Sequence, residues 1–206
     1  MNLRDRTAIV LTIAALVVAR PDSAGAQSSP ARFELGGQVA STNSSQFDET
    51  DVGAGARISW HPTGWLGAEA EINGYPGNFP GQRAFSRGRV EGLFGATVGG
   101  SFGSVRPFGR LRPGFVTFRK SPEPFACILI FPPPLACTLA SGRTLFALDI
   151  GGGVEVYATP KTFVRVDAGD LLMKYPGPVF DTTLTARQRA FFSHNFRFAA
   201  GAGVRF

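Results

Sequence analysis

The final thirteen residues, His194 to Phe206, read HNFRFAAGAGVRF. Phe196, Phe198, Ala200, Ala202, Val204 and Phe206 share one parity, while Asn195, Arg197, Ala199, Gly201, Gly203 and Arg205 share the other. Successive side chains of a strand point to opposite faces. One face is therefore wholly apolar and the other carries arginines among small residues. A wall with hydrocarbon on one side and a crowded polar space on the other is what a strand of a membrane-spanning barrel requires.

The same alternation predicts seven earlier strands, each bounded by Gly, Pro, Asn or Ser clusters: approximately Arg32 to Ser41, Asp51 to Trp60, Trp65 to Gly74, Gly88 to Gly99, Val105 to Phe118, Thr144 to Ala158 and Thr162 to Met173. Their outward parity holds residues such as Leu35, Val39, Ile58, Ile72, Phe94, Leu111, Ile150 and Val164, with no charge in the strand centres. The inward parity holds Glu34, Glu69, Glu71, Glu91, Asp149, Glu155 and Asp167 against Arg57, Arg89, Arg110, Arg112, Arg165, Arg197 and Arg205. A soluble lipocalin-like barrel has the reverse arrangement, apolar inside and charged outside. The predicted class is thus all-β, an eight-stranded antiparallel up-and-down transmembrane barrel. Eight strands enclose a space that side chains can fill. Two readings of the charges stand: an interlocked ion-pair core, or the lining of a narrow channel for ions or small solutes.

The connections alternate in length. His61 to Gly64, Gly100 to Ser104 and Thr159 to Lys161 are short, whereas Thr42 to Thr50, Tyr75 to Arg87, Arg119 to Arg143 and Lys174 to Ser193 are long. Short periplasmic turns and long outer loops are the layout of an outer-membrane barrel. Trp60 and Trp65 flank the first turn, with Phe33 and Phe206 at the same level, and form an interfacial aromatic belt. Tyr75, Phe118 and Tyr175 are expected as anchors at the opposite rim. Pro113-Gly114 predicts a bulge or kink in the fifth strand.

A last strand of alternating apolar residues ending in Val204 and Phe206 resembles the signal read by the bacterial outer-membrane assembly machinery. With the eight-strand layout, the chain resembles the small OmpA-like outer-membrane β-barrel domain family. The resemblance implies a bacterial outer-membrane protein whose roles lie in envelope integrity, surface adhesion or immune evasion. A peptidoglycan-binding domain such as OmpA proteins carry is not expected after the eighth strand.

Arg4 and Arg6, the apolar run Ala8 to Ala19 and the small residues Ala24-Gly25-Ala26 form a secretory leader over residues 1–26, with the barrel domain over 27–206. The apolar run is shorter than the roughly 20 residues of a spanning helix. Removing the leader leaves 18 basic and 13 acidic residues, a net of +5. Such a balance invites a nucleic-acid reading, but interior placement of the charges argues against it.

The third long loop contains ACILIFPPPLAC. In an exported chain its two cysteines, Cys127 and Cys137, read as a disulfide. Between them Ile128, Leu129, Ile130, Phe131 and Leu135 form an apolar patch around Pro132 to Pro134. It is read as packing across the barrel mouth or as a contact for lipid, a neighbouring protein or a host surface. Arg83, Arg87, Arg119, Lys120, Arg143, Lys174, Arg187 and Arg189 give the outer loops a basic excess. That excess suits lipopolysaccharide phosphates or a solvated surface. No catalytic, cofactor or metal motif stands out. The residues two from His194 are Phe192 and Phe196, and Ser193 has the opposite parity, so the His and Ser two apart on the lipid face of a lipid A deacylase-like barrel are absent. A lipid-modifying enzyme is the remaining alternative.

Overall fold

A computed structural model describes residues 33–77, 88–120 and 131–206. The leader, the two cationic positions Arg83 and Arg87, and Cys127 to Ile130 lie outside the described residues. Seven long strands follow one another as β1 (Phe33–Ser44), β2 (Glu49–Trp60), β3 (Leu66–Tyr75), β4 (Arg89–Gly99), β5 (Val105–Phe118), β6 (Thr144–Thr159) and β7 (Thr162–Tyr175). A two-residue hairpin, β8 (Val179–Phe180) and β9 (Ala186–Arg187), precedes the eighth wall strand. That strand is built from β10 (Phe191–Ser193) and β11 (Asn195–Arg205) with His194 between them.

Each long strand pairs antiparallel with the next, β7 pairs with β10 and β11, and β11 returns to β1. The barrel is closed and has no free sheet edge. Phe206 N donates to Phe33 O at 2.9 Å at the seam. The register obeys the parity read from the chain. Glu34 lies beside Arg205, and Arg57 beside Glu71, all on the inner face.

The outer face is apolar. Leu35, Val39, Ile58, Ile72, Phe94, Leu111, Ile150, Val164, Phe196 and Phe198 are all exposed, as are Phe33, Trp60, Trp65 and Phe206 at the short-turn end. Among the described residues no helix is long and apolar enough to cross a membrane. The strands carry the apolar surface.

Four expectations need correction. The first long connection is a tight hairpin, because β1 runs to Ser44 and β2 starts at Glu49, with Asp48 at φ 50° in the turn. Pro113 produces no bulge. The β4–β5 ladder is interrupted beside it, but Leu93↔Gly114 and Ala96↔Leu111 keep one register, and Pro113↔Leu148 pairs on the other side. The missing N–H breaks local pairing without inserting a residue. An irregularity sits instead at Tyr157/Thr159 in β6.

Tyr75, Phe118 and Tyr175 are not rim anchors; all three are buried. Their strands extend through them, and parity turns them inward beside Asn73, Val116 and Met173. Leu135 also leaves the interaction patch and takes the other reading of it, packing across the barrel mouth. It begins the short helix α1 (Leu135–Ala140) and is 1% exposed, whereas Phe131 is 81% exposed.

The mouth is therefore filled by an apolar core. Leu135 and Leu139 from α1 join Leu93, Val116, Phe118, Leu145, Leu171, Met173, Tyr175 and Val179. The third and fourth loops are tied together above it, since Phe180 N donates to Pro133 O at 3.0 Å. Asp181 fixes the fourth-loop turn. Its carboxylate accepts the Thr183 hydroxyl at 2.6 Å and the Thr185 amide at 2.9 Å, and meets Arg187 at 3.0 Å. The Thr183 hydroxyl is the main reason that this carboxyl is lowered to about 2.

Candidate functional site: the charged interior

Below the apolar mouth the inner faces of the strands supply charge. Eight carboxylates project inward: Glu34, Asp51, Glu69, Glu71, Glu91, Asp149, Glu155 and Asp167, all buried. Eight guanidiniums answer them, Arg57, Arg89, Arg106, Arg110, Arg112, Arg165, Arg197 and Arg205, of which only Arg205 is partly exposed. Sequence reasoning supplied fourteen of these groups. It missed Asp51 and Arg106, although the parity of β2 and β5 puts both on the inner face.

The centre is organised by Arg112 and Arg165. Arg112 Nη1 donates to Glu69 Oε1 at 2.7 Å and Glu71 Oε2 at 2.6 Å, while its Nη2 reaches Asp149 Oδ2 at 2.7 Å. Arg165 takes Glu69 with two nitrogens, at 2.8 and 3.1 Å, and reaches Asp167 at 2.8 Å and Glu155 at 3.1 Å. The planar guanidinium provides several donors in a fixed fork, which a lysine could not match. Arg110 pairs with Asp149 at 2.6 Å and also contacts Asp167.

Nearer the mouth, Arg197 Nε meets Glu91 at 3.1 Å and its Nη2 contacts Glu71. Amides bridge what charges leave over. Gln38 accepts from Arg57 at 3.0 Å and donates to Asn73 at 2.9 Å, and Asn73 donates to both Glu71 and Glu91. Arg89 pairs with Asp51 at 2.9 Å and stacks on Tyr75 at 4.1 Å from the ring centre. Tyr75 is thus part of the interior network.

At the short-turn end Arg106 meets Glu155 at 2.9 Å, and Arg205 stacks on Tyr157 and approaches Glu34 at 3.9 Å. His61, outside the strands, lies 3.9 Å from the same Glu34 carboxylate. Burial, with Arg106 adding to it, lowers the imidazole from 6.5 to about 4, so it is neutral at pH 7. Space for this crowd comes partly from Gly67, where a Cβ would lie 2.5 Å from the Thr97 hydroxyl and 2.7 Å from the His61 ring.

Among the described residues no group of three or more His, Cys, Asp or Glu is placed to hold a metal ion. Cys137 is not a free thiol. Its expected partner, Cys127, lies outside the described residues.

This is the architecture of the small eight-stranded outer-membrane β-barrels. Among solved structures the chain is similar to outer membrane protein OprG from Pseudomonas aeruginosa, at TM-score 0.53 and 10% identity over 85% of this chain and 96% of that one. It is also similar to Neisserial surface protein A, at TM-score 0.52 and 16% identity over 84% of this chain and 97% of that one. At these identities the likeness is one of fold. No family model and no curated protein matches the sequence.

Proposed function

We propose that the protein is a non-catalytic outer-membrane barrel with a plugged interior, which serves envelope integrity or surface interaction through its outer loops. The observation that carries this reading is the stacking of two seals: a balanced set of buried ion pairs, and above it the apolar core closed by Leu135 and Leu139. An ion crossing this interior would have to separate guanidinium and carboxylate pairs in a poorly solvated space, and breaking one such buried pair costs several kcal/mol. It would then meet the packed side chains of Leu135, Leu139, Val116, Leu171 and Met173.

The outer surface supports an interaction role. Phe131 and Leu184 are each 81% exposed above the mouth. Arg119, Lys120, Arg143, Lys174, Arg187 and Arg189 offer partners for lipopolysaccharide phosphates. A surface or host ligand would be met by Phe131 and the adjoining apolar residues 128–130. Val204 and Phe206, both exposed on the outer face, are the proposed contact for the assembly machinery during biogenesis. Nucleic acid is not a proposed partner.

The test is gel mobility with and without boiling, together with planar-bilayer conductance of the same refolded sample. A heat-modifiable band without steady conductance is expected. Discrete conductance steps would replace the plugged barrel with the narrow channel, and loss of heat-modifiability would remove the membrane barrel itself.

A further inference from the structure

On the outward faces of the long strands the only charged residues are Asp170 and Lys174, both on β7. Lys174 lies at the loop end of its strand. Asp170 lies lower, between Ile150 of β6 and Phe196 of β11 in register. Eight residues separate it from Thr162 at the short-turn end, which at ~3.3 Å per residue and a tilt of about 40° sets it roughly 20 Å up a belt about 25 Å tall. That is the outer fifth of the belt, about 5 Å below the headgroups.

Asp170 is built into a site. Its Oδ2 lies 2.6 Å from His194 Nδ1, and its Oδ1 accepts the Asn195 amide at 3.1 Å. His194 occupies the break between β10 and β11, where it is free of the ladder. Asp170, His194, Asn43, Ser45 and Phe196 line one open cavity of about 390 Å³.

The unused hydrogen-bonding capacity defines what fits. Each Asp170 oxygen retains one lone pair, and His194 retains Nε2. Asn43 donates one N–H to Thr50 at 3.0 Å, which leaves its carbonyl oxygen and a second N–H. Ser45 shares its hydroxyl with Ser193 at 3.1 Å. A phosphate accepts only, and meets a carboxylate with no Lys or Arg in the lining. An ammonium donates only, and leaves the second N–H of Asn43 unanswered. Sugar hydroxyls both donate and accept, as this lining requires.

We propose that this pocket binds the sugar headgroup of an outer-leaflet glycolipid, with Asp170, His194 and Asn43 holding its hydroxyls and its acyl chains running down the wall over Phe196. The inference rests on the outer-membrane reading and adds a lipid site distinct from the basic loops.

The barrel, refolded in detergent, is incubated separately with deep-rough lipopolysaccharide, dephosphorylated lipid A and phosphatidylethanolamine, and retained lipid is counted by native mass spectrometry. Both glycolipids are expected to stay bound and phosphatidylethanolamine to be lost. Asp170→Asn and His194→Ala should each lower glycolipid retention about tenfold, whereas Lys161→Ala, in the short turn at the other end of the barrel, should leave it unchanged. Heat-modifiable mobility reports folding of every variant, and its loss in the parent protein would strike the barrel reading instead. Retention that needs the phosphates, that is equal for phosphatidylethanolamine, or that survives in either the Asp170 or the His194 variant would overturn the proposal.

Discussion

Arg165 on β7 holds Glu69 on β3 with two nitrogens, at 2.8 and 3.1 Å. In the closed order of the wall these strands stand four positions apart, on opposite sides of the barrel. The pair is a strut across the interior.

Cutting that strut on one side should be costly. Arg165→Met leaves Glu69, Asp167 and Glu155 short of a cation in a buried space, and a loss of about 3–5 kcal/mol is expected. The matched change Arg165→Met with Glu69→Leu should recover much of it. Urea unfolding of the refolded barrels in detergent, followed by Trp fluorescence, measures both. Equal losses for the single and double variants would show that the pair is not the source.

The mouth core makes a separate prediction. Leu139 is completely buried among aliphatic and aromatic side chains. Its replacement by Ala should cost about 2–5 kcal/mol through lost transfer energy and a residual cavity. Proteolysis of the loops in folded barrels should accelerate, while the heat-shifted band persists.

His61 gives a pH dependence with a defined sign. Its folded value of about 4 lies below the unfolded 6.5, so between those limits the unfolded chain binds the proton and the folded chain does not. Stability should accordingly fall as pH drops from about 6.5 to 4 and be independent of this group above 7. His61→Gln should flatten that part of the profile in urea titrations at stepped pH. A profile unchanged by the substitution would place the sensitivity elsewhere.

For the cysteines the expected outcome is a mass measurement. The unfolded but unreduced protein should take up no iodoacetamide, and after reduction Cys127 and Cys137 should take up two alkyl groups. Alkylation before reduction would contradict the proposed pair.

The barrel was legible because a period of two survives from Phe33 to Phe206 with hydrocarbon on one parity and charge on the other. Asp51 and Arg106 obey the same rule and were missed at strand ends, where strand and loop compositions merge. Tyr75 and Tyr175 were misassigned for the same reason: their inward facing depends on the strand continuing through them. Helix α1 spans only six residues after three prolines, too short to develop a helical period. The Asp170–His194 pair was hidden more deeply. It forms between residues 24 apart that only the β7–β11 register brings together.

The distribution of the arginines bears on how the wall is completed. Strands β1 to β7 carry all eight inward carboxylates but only six of the eight inward guanidiniums. Arg197 and Arg205 arrive on β11, and Arg197 goes directly to Glu71 and Glu91. An unfinished sheet therefore holds an anionic surplus that repels itself, and the strand that joins β7 to β1 is also the one that cancels it. Sealing the cylinder and discharging its hollow are a single event.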